Sequence, residues 1–512
     1  MKSIYIILSI ALILSISQAF ALSEMTFEWA MNTSKVFEGK TFGGGLQSFG
    51  TVYDIDSDGV NEILFGTRRG DSKRIWCWNQ NDEVEWTYPP IEEEGLAGDP
   101  GSKVSLVDVN NDGVYEITFG LMSRPGGFYV LNPDGSLNWV LRGPDFTSAE
   151  PGVEVGDSRM LGAPQAFDVD GDGFVEFFQT DNNGYTHRLS HDGKHVWRSA
   201  KGGSAIQGQT TICDIDQDGE YEVMYAANDA YLYCLKSETG AEEWRYDTGA
   251  NMQTNQVIVA DIDKDGEYEA LVWNDLGIVF CISFYGTEEW RWTIPTGENI
   301  RLCQAMGDVD ADGQLEMVIN TGAGVYCLEI SSGTASTKWY INRTELGIQG
   351  IIPQGLAGND EWRSYNIIVD IDGDGKQEAV FVTRSSEGAA PFVVDAATGE
   401  PEAWYYNEYI NSINGHTWGD VDQDGQSELM FEGDGFGHPM TQNYVITMNG
   451  KFPADAWWPE YYHSALPAED QQDADWLKLK AAASNSLWFP MPEASLMSML
   501  ALLGVGLIKR RL

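Results

Sequence analysis

"DIDKDGEYEALVW", residues 261–273, sets acidic side chains at alternate positions, turns on a glycine and runs straight into apolar residues. The same pattern stands at seven other places: "DIDSDGVNE" from Asp54, "DVNNDGVYE" from Asp108, "DVDGDGFVE" from Asp168, "DIDQDGEYE" from Asp214, "DVDADGQLE" from Asp308, "DIDGDGKQE" from Asp370 and "DVDQDGQSE" from Asp420. Self-similarity at a period of roughly 50 residues marks a repeat architecture in which each copy is one supersecondary unit. A site used eight times is scaffold before it is catalysis.

Within each copy, positions 1, 3 and 5 bring side-chain oxygens to one point, position 7 offers its carbonyl, and position 9 is a glutamate. The glycine at position 6 permits the sharp turn that wraps such a loop round a hard cation. The candidate ligands are therefore Asp54, Asp56, Asp58 and Glu62; Asp108, Asn110, Asp112 and Glu116; Asp168, Asp170, Asp172 and Glu176; Asp214, Asp216, Asp218 and Glu222. They continue with Asp261, Asp263, Asp265 and Glu269; Asp308, Asp310, Asp312 and Glu316; Asp370, Asp372, Asp374 and Glu378; Asp420, Asp422, Asp424 and Glu428. Oxygen-only donors select calcium, up to eight ions. A helix–loop–helix site would need a glutamate at position 12, where this chain has Phe65, Phe119, Gln179, Tyr225, Val272, Ile319, Phe381 and Phe431. The loop therefore joins two strands.

A tryptophan follows each opening aspartate by 29 to 37 residues: Trp86, Trp139, Trp197, Trp244, Trp290, Trp339, Trp404 and Trp457. The text before it, as in "YLYCLKSETGAEEWRYDT", alternates and turns like a hairpin. Each unit then has strand A, the acidic loop, strand B, a connection, strand C, a tight turn and strand D. Four strands over roughly 50 residues is the size of a β-propeller blade. The expected fold is an all-β, eight-bladed β-propeller spanning residues 22–462. "FEWAMN", residues 27–32, reads as a further Trp strand ahead of the first loop. It is expected to close the ring beside the blade begun by Asp420, in preference to the strand around Trp457.

The acidic loops resemble FG-GAP (VCBS-type) repeats, the calcium-binding blades also found in integrin α-subunits, although those usually end in Asp where this chain has Glu. The Trp hairpins separately resemble quinoprotein-type repeats, whose family implies a quinone cofactor. Neither the adjacent cysteine pair nor the haem motif common in quinoprotein dehydrogenases is present.

The start, "MKSIYIILSIALILSISQAFA", has the layout of a secretory signal peptide, residues 1–21. At the other end, Pro492-Glu493, a mainly apolar stretch of 15 residues from Ala494 to Ile508, and Lys509-Arg510-Arg511 resemble the PEP-CTERM sorting signal. That resemblance implies residues 489–512 as an anchor cut by a sorting peptidase, with 463–488 a helical or extended linker. The protein is expected to be exported to the cell surface or extracellular matrix and to meet the membrane only through this segment.

Eight motifs with four acidic slots each make 32, and Asn110 takes one, so the loops hold 31 of the 78 acidic residues. Eight divalent ions would move the formal charge from −47 to −31. So acidic a surface excludes nucleic acid as a partner. Of six cysteines, Cys234, Cys281 and Cys327 recur in phase, as small buried strand residues do; pairing with Cys77, Cys213 or Cys303 stays open.

The variable connections on the face opposite the acidic loops are the expected ligand surface. Nine of the fourteen arginines before the tail fall in them: Arg68, Arg69, Arg74, Arg124, Arg142, Arg301, Arg343, Arg363 and Arg384. Arg124, Arg301 and Arg384 are the candidate carboxylate-binding residues, suited to an acidic glycan. The favoured reading is a non-catalytic, calcium-stiffened binding or adhesion module for glycan or a surface protein. The alternative is a polysaccharide lyase, because "WRWTIPTGENIRLCQAMGDVDADGQLE" resembles family-eleven rhamnogalacturonan lyases, which implies calcium-assisted β-elimination at a uronate. No catalytic constellation can be matched residue by residue. The triplet His187, His191 and His195 has metal spacing on a helix, but in a hairpin it reads as structural.

Overall fold

The computed structural model describes most of residues 51–404, with its longest gaps at 143–158 and 344–365, together with strands at 23–24, 26–32, 45–46, 416–419, 428–433 and 442–447. The signal peptide, Trp457, the linker and the sorting tail lie outside the described residues, as do Arg124 and Arg301.

Among the described residues the named elements are strands, and they form eight sheets, six with four strands and two with five. In the fifth sheet the order follows the chain: Ile258–Ala260, Glu269–Trp273, Ile278–Ser283 and Glu288–Thr293. All three pairings are antiparallel. Short strand A ends one residue before the opening aspartate, as Ile258–Ala260 does before Asp261. Strand B starts on the closing glutamate in seven of the sheets and one residue earlier, at Leu315, in the sixth. The acidic loop is thus the A–B turn.

The core lies between the sheets. Strands B and C are buried on both faces, as in Glu269–Trp273 and Ile278–Ser283. One apolar cluster joins Leu64, Ile75 and Cys77 of the first sheet to Leu106, Phe119 and Tyr129 of the second. Comparable clusters bridge each following pair through to the seventh. Strand A of the eighth sheet, His416–Gly419, lies against strand A of the first, Thr51–Tyr53. The five described cysteines are free and buried; Cys77, Cys234, Cys281 and Cys327 stand opposite a tryptophan on strand D.

Strand D carries one extra residue beside its tryptophan. In the fourth sheet Cys234 pairs with Trp244 and Leu235 with Glu242, so Glu243 bulges out. The same shift occurs in the first, fifth and sixth sheets at Glu85, Glu289 and Lys338. A bulge re-aims its side chain. The strand Thr26–Asn32 pairs antiparallel with Gln442–Thr447 and repeats the device, with Trp29 opposite Val445 and Glu28 bulged. It fills the strand-D place of the eighth sheet, as its Trp pattern predicts.

The tryptophan of one sheet packs on the C–D turn of the next. A Cβ on Gly286, whose φ is +76°, would fall 2.8 Å from the Trp244 ring; Gly135, Gly193, Gly240 and Gly399 meet Trp86, Trp139, Trp197 and Trp339 the same way. The Trp139, Trp197 and Trp339 indoles also donate to the carbonyls of His191, Ser237 and Ala396 at 2.8–2.9 Å. Trp290 has no such turn to meet. Gly333 in the sixth sheet has open space about it, and the buried Trp290 indole N–H lacks a hydrogen-bond partner.

Gly286→Ala should therefore cost about 1–3 kcal/mol from overpacking, plus roughly 1–2 kcal/mol from the left-handed backbone. Gly297, with φ +74° and nothing near its absent Cβ, separates the two effects. Denaturant midpoints should show Gly297→Ala losing only the backbone contribution; equal losses would mean that the tryptophan contact carries no weight.

Candidate functional site

The acidic loops share one internal bonding scheme. The glycine N–H at position 6 donates to the first aspartate: Gly59 to Asp54, Gly113 to Asp108, Gly173 to Asp168, Gly219 to Asp214, Gly266 to Asp261, Gly313 to Asp308 and Gly375 to Asp370, at 2.8–3.2 Å. The position-7 amide donates to the fifth residue, as Glu267 does to Asp265 at 2.8 Å. These bonds orient carboxylates before any ligand arrives.

The closing glutamate is buried under the loop. One of its oxygens, Oε2, accepts from the position-2 amide: Ile55 to Glu62, Val109 to Glu116, Val169 to Glu176, Ile215 to Glu222, Ile262 to Glu269 and Val309 to Glu316, at 2.8–3.1 Å. The apolar position-2 residue pins the loop to the core, as Ile55, Ile215 and Ile262 show. Burial pushes the carboxyls of Glu62, Glu116 and Glu176 up to about 7, that of Glu269 to about 8 and that of Glu222 to about 9, against the pull of the amide. Nearby aspartates add to the rise in each case.

Ligand atoms converge within 4.8 Å in five loops: Asp54, Asp56 and Asp58; Asp168, Asp170 and Glu176; Asp214, Asp216 and Asp218; Asp261, Asp263 and Asp265; Asp308, Asp310 and Glu316. In the second loop Asn110 replaces an acid, and its Oδ1 is buried without a partner. Glu62 Oε1, Asp214 Oδ1 and Asp261 Oδ1 are likewise buried and accept no hydrogen bond. An unsatisfied buried oxygen costs about 1–3 kcal/mol, more when charged. A hard divalent cation would satisfy all of them, so the residues present fit one. Asp372, Asp374, Asp420, Asp422 and Asp424 lie outside the described residues, while Glu378 and Glu428 open their B strands as the others do.

The arginine face differs from its expectation. Arg74 is buried at the start of strand Arg74–Asn79 and donates to the carbonyls of Pro89, Pro90 and Glu93. Arg343 is buried too. Arg68, Arg142 and Arg384 end or lie within strands, Arg384 opposite Ala389 in Glu378–Ser385. Strand tips extend further than hydrophobic alternation suggests, so several "connection" arginines are ladder residues. One of them is a structural clamp.

The three histidines divide. His191 stacks on Phe174 with ring centres 4.4 Å apart. His187 and His195 meet ring nitrogen to ring nitrogen at 3.1 Å, with His187 Nε2 3.3 Å from Asp181. Burial, then the charges of His187 and Arg198, lower His195 to about 4. A histidine depressed in the fold stabilises above its unfolded pKa of about 6.5, and that contribution is lost as pH falls through about 4. The melting temperature should fall across this window, and His195→Gln should flatten the profile. A variant profile matching the parent's would remove His195 from the acid response.

No protein-family model matches the sequence, and no curated protein does. Among solved structures the chain is similar to the quinohemoprotein alcohol dehydrogenase from Comamonas testosteroni, at 12% identity and a TM-score of 0.52, covering 90% of this chain and 81% of that one. It is similar also to the quinohemoprotein alcohol dehydrogenase ADHIIG from Pseudomonas putida HK5, at 12% identity, 86% and 78% coverage and a TM-score of 0.50. BamB from Moraxella catarrhalis matches at 12% identity, 79% and 97% coverage and a TM-score of 0.48. The likeness to the two quinohemoprotein dehydrogenases, with the strand order described above, establishes an all-β fold of β-propeller type. At such identity they speak of fold alone.

Proposed function

We propose that the chain is an eight-bladed, calcium-stiffened β-propeller of the FG-GAP kind, acting as a non-catalytic binding or adhesion module. The observation that carries this reading is that carboxylates converge in the first, fourth and fifth loops, where Glu62 Oε1, Asp214 Oδ1 and Asp261 Oδ1 are buried with no protein partner. Calcium holds the A–B rim rigid and leaves the opposite face free to vary, the usual division between scaffold and recognition surface. The signal-like start and the Pro492-Glu493 tail support export and sorting to the cell surface. An acidic polysaccharide is the proposed ligand class, with Arg124, Arg301 and Arg384 as its candidate carboxylate-binding residues.

The test is retention on an immobilised uronate-containing polysaccharide, with ultraviolet absorbance followed for the conjugated product of β-elimination. We expect calcium-dependent retention that weakens with salt, because exposed charge pairs are screened, and no absorbance change. Growth of absorbance would replace this reading with the lyase alternative. Retention indifferent to salt and to Arg124→Ala and Arg301→Ala would remove the acidic-glycan ligand.

A further inference from the structure

The eight loops are not chemically equivalent. In the third sheet Arg188 Nη2 lies 3.0 Å from Asp170 Oδ2 and 3.3 Å from Glu176 Oε1. In the sixth sheet Lys338 Nζ lies 2.5 Å from Asp310 Oδ2 and 3.1 Å from Glu316 Oε1. The two cations come from different strands. Arg188 sits on strand C opposite Trp197, where the first, fourth, fifth and sixth sheets carry Cys77, Cys234, Cys281 and Cys327. Lys338 is the strand-D bulge residue, where the first, fourth and fifth sheets carry Glu85, Glu243 and Glu289. Two unrelated positions deliver a positive charge to the same pair of carboxylates, positions 3 and 9 of the loop. In the first sheet the corresponding atom, Glu62 Oε1, is buried and has no partner, and its residue is 0% exposed.

We propose that Arg188 and Lys338 take the place of a metal ion in the third and sixth loops, and that Glu85, Glu243 and Glu289 are additional carboxylates serving the metal in the first, fourth and fifth. This rests on the calcium reading above. Arginine cannot lose its proton in a protein, and Arg188 is nearly fully buried, so its charge is permanent where it stands. A divalent ion entering that loop would meet a fixed positive charge and two carboxylates already engaged. In the first and fifth sheets the bulge glutamate adds negative charge beside the loop, reaching the strand-C cysteine at 3.9 Å in both cases. In the fourth, Glu243 also pairs with the half-exposed Lys236, which it shares with Glu220 on the outside. Eight loops less two neutralised from within leave at most six for calcium.

Native mass spectrometry of the whole protein, prepared throughout in calcium, reads the count. The parent should carry no more than six ions, and Arg188→Met and Lys338→Met should each carry one more than the parent. In chelator each variant should melt below the chelated parent, and added calcium should close that gap. Glu85→Gln should weaken the parent's own calcium uptake without changing the third or sixth loop. A parent that holds seven or eight ions, or variants that gain none, would overturn the inference while leaving the calcium reading in place. A parent that takes up no calcium would overturn both.

Discussion

Chelation should lower the melting temperature by more than any single loop substitution. Ions that bind only the folded chain stabilise it by mass action, about 2.7 kcal/mol per site at a hundredfold excess over Kd. On the proposed calcium reading several loops draw on this at once, and removing the ions would leave Glu62 Oε1, Asp214 Oδ1 and Asp261 Oδ1 buried without partners. Asp261→Ala should cost less, because it disturbs one loop and its neighbours would keep their own ions. Calorimetry with and without EDTA decides the matter. An unmoved transition would mean that the loops are held by their internal hydrogen bonds alone.

The second large effect concerns the strand Thr26–Asn32. Deleting it should cost more than about 4 kcal/mol, beyond the usual range of a point substitution. The strand supplies one edge of the eighth sheet, and without it Gln442–Thr447 becomes an open edge facing solvent. Open edges recruit other chains, so the shortened protein should also self-associate. Size-exclusion chromatography and thermal melts of the deletion, with and without a synthetic peptide of residues 22–34, test this. Rescue by the peptide is the expected outcome; a monomer that melts like the parent would show that the ring needs no such closure.

The repeat was legible because every copy carries the same spacing of charge, glycine and apolar residues. Position-9 glutamates open B strands in seven sheets, as the alternation implies, and the tryptophan in "FEWAMN" marks a strand D displaced to the front of the chain. The internal cations were not legible. Arg188 belongs to a stretch that reads as "HRLSHDGKH", where three histidines draw the eye, and Lys338 is one charge in a polar hairpin. Only the register shift beside Trp339 shows that Lys338 is a bulge residue turned toward Asp310. Arg74 misled for the opposite reason. Its place at the edge of a connection suggests a surface charge, yet three backbone carbonyls hold it in the interior.

The indole N–H of Trp290 has a consequence for how the molecule comes apart. Five neighbouring joints are fastened by a ring lying on a glycine, and three of those add an indole hydrogen bond. Between the fifth and sixth sheets that fastening is absent, because the turn bearing Gly333 sits six residues before Trp339 where most others sit four. Trp290 is packed among apolar neighbours but keeps an unmet donor. Partial unfolding should begin at this seam, so amide hydrogen exchange would run faster along Glu288–Thr293 than along Glu242–Asp247. The ring has a built-in place to split.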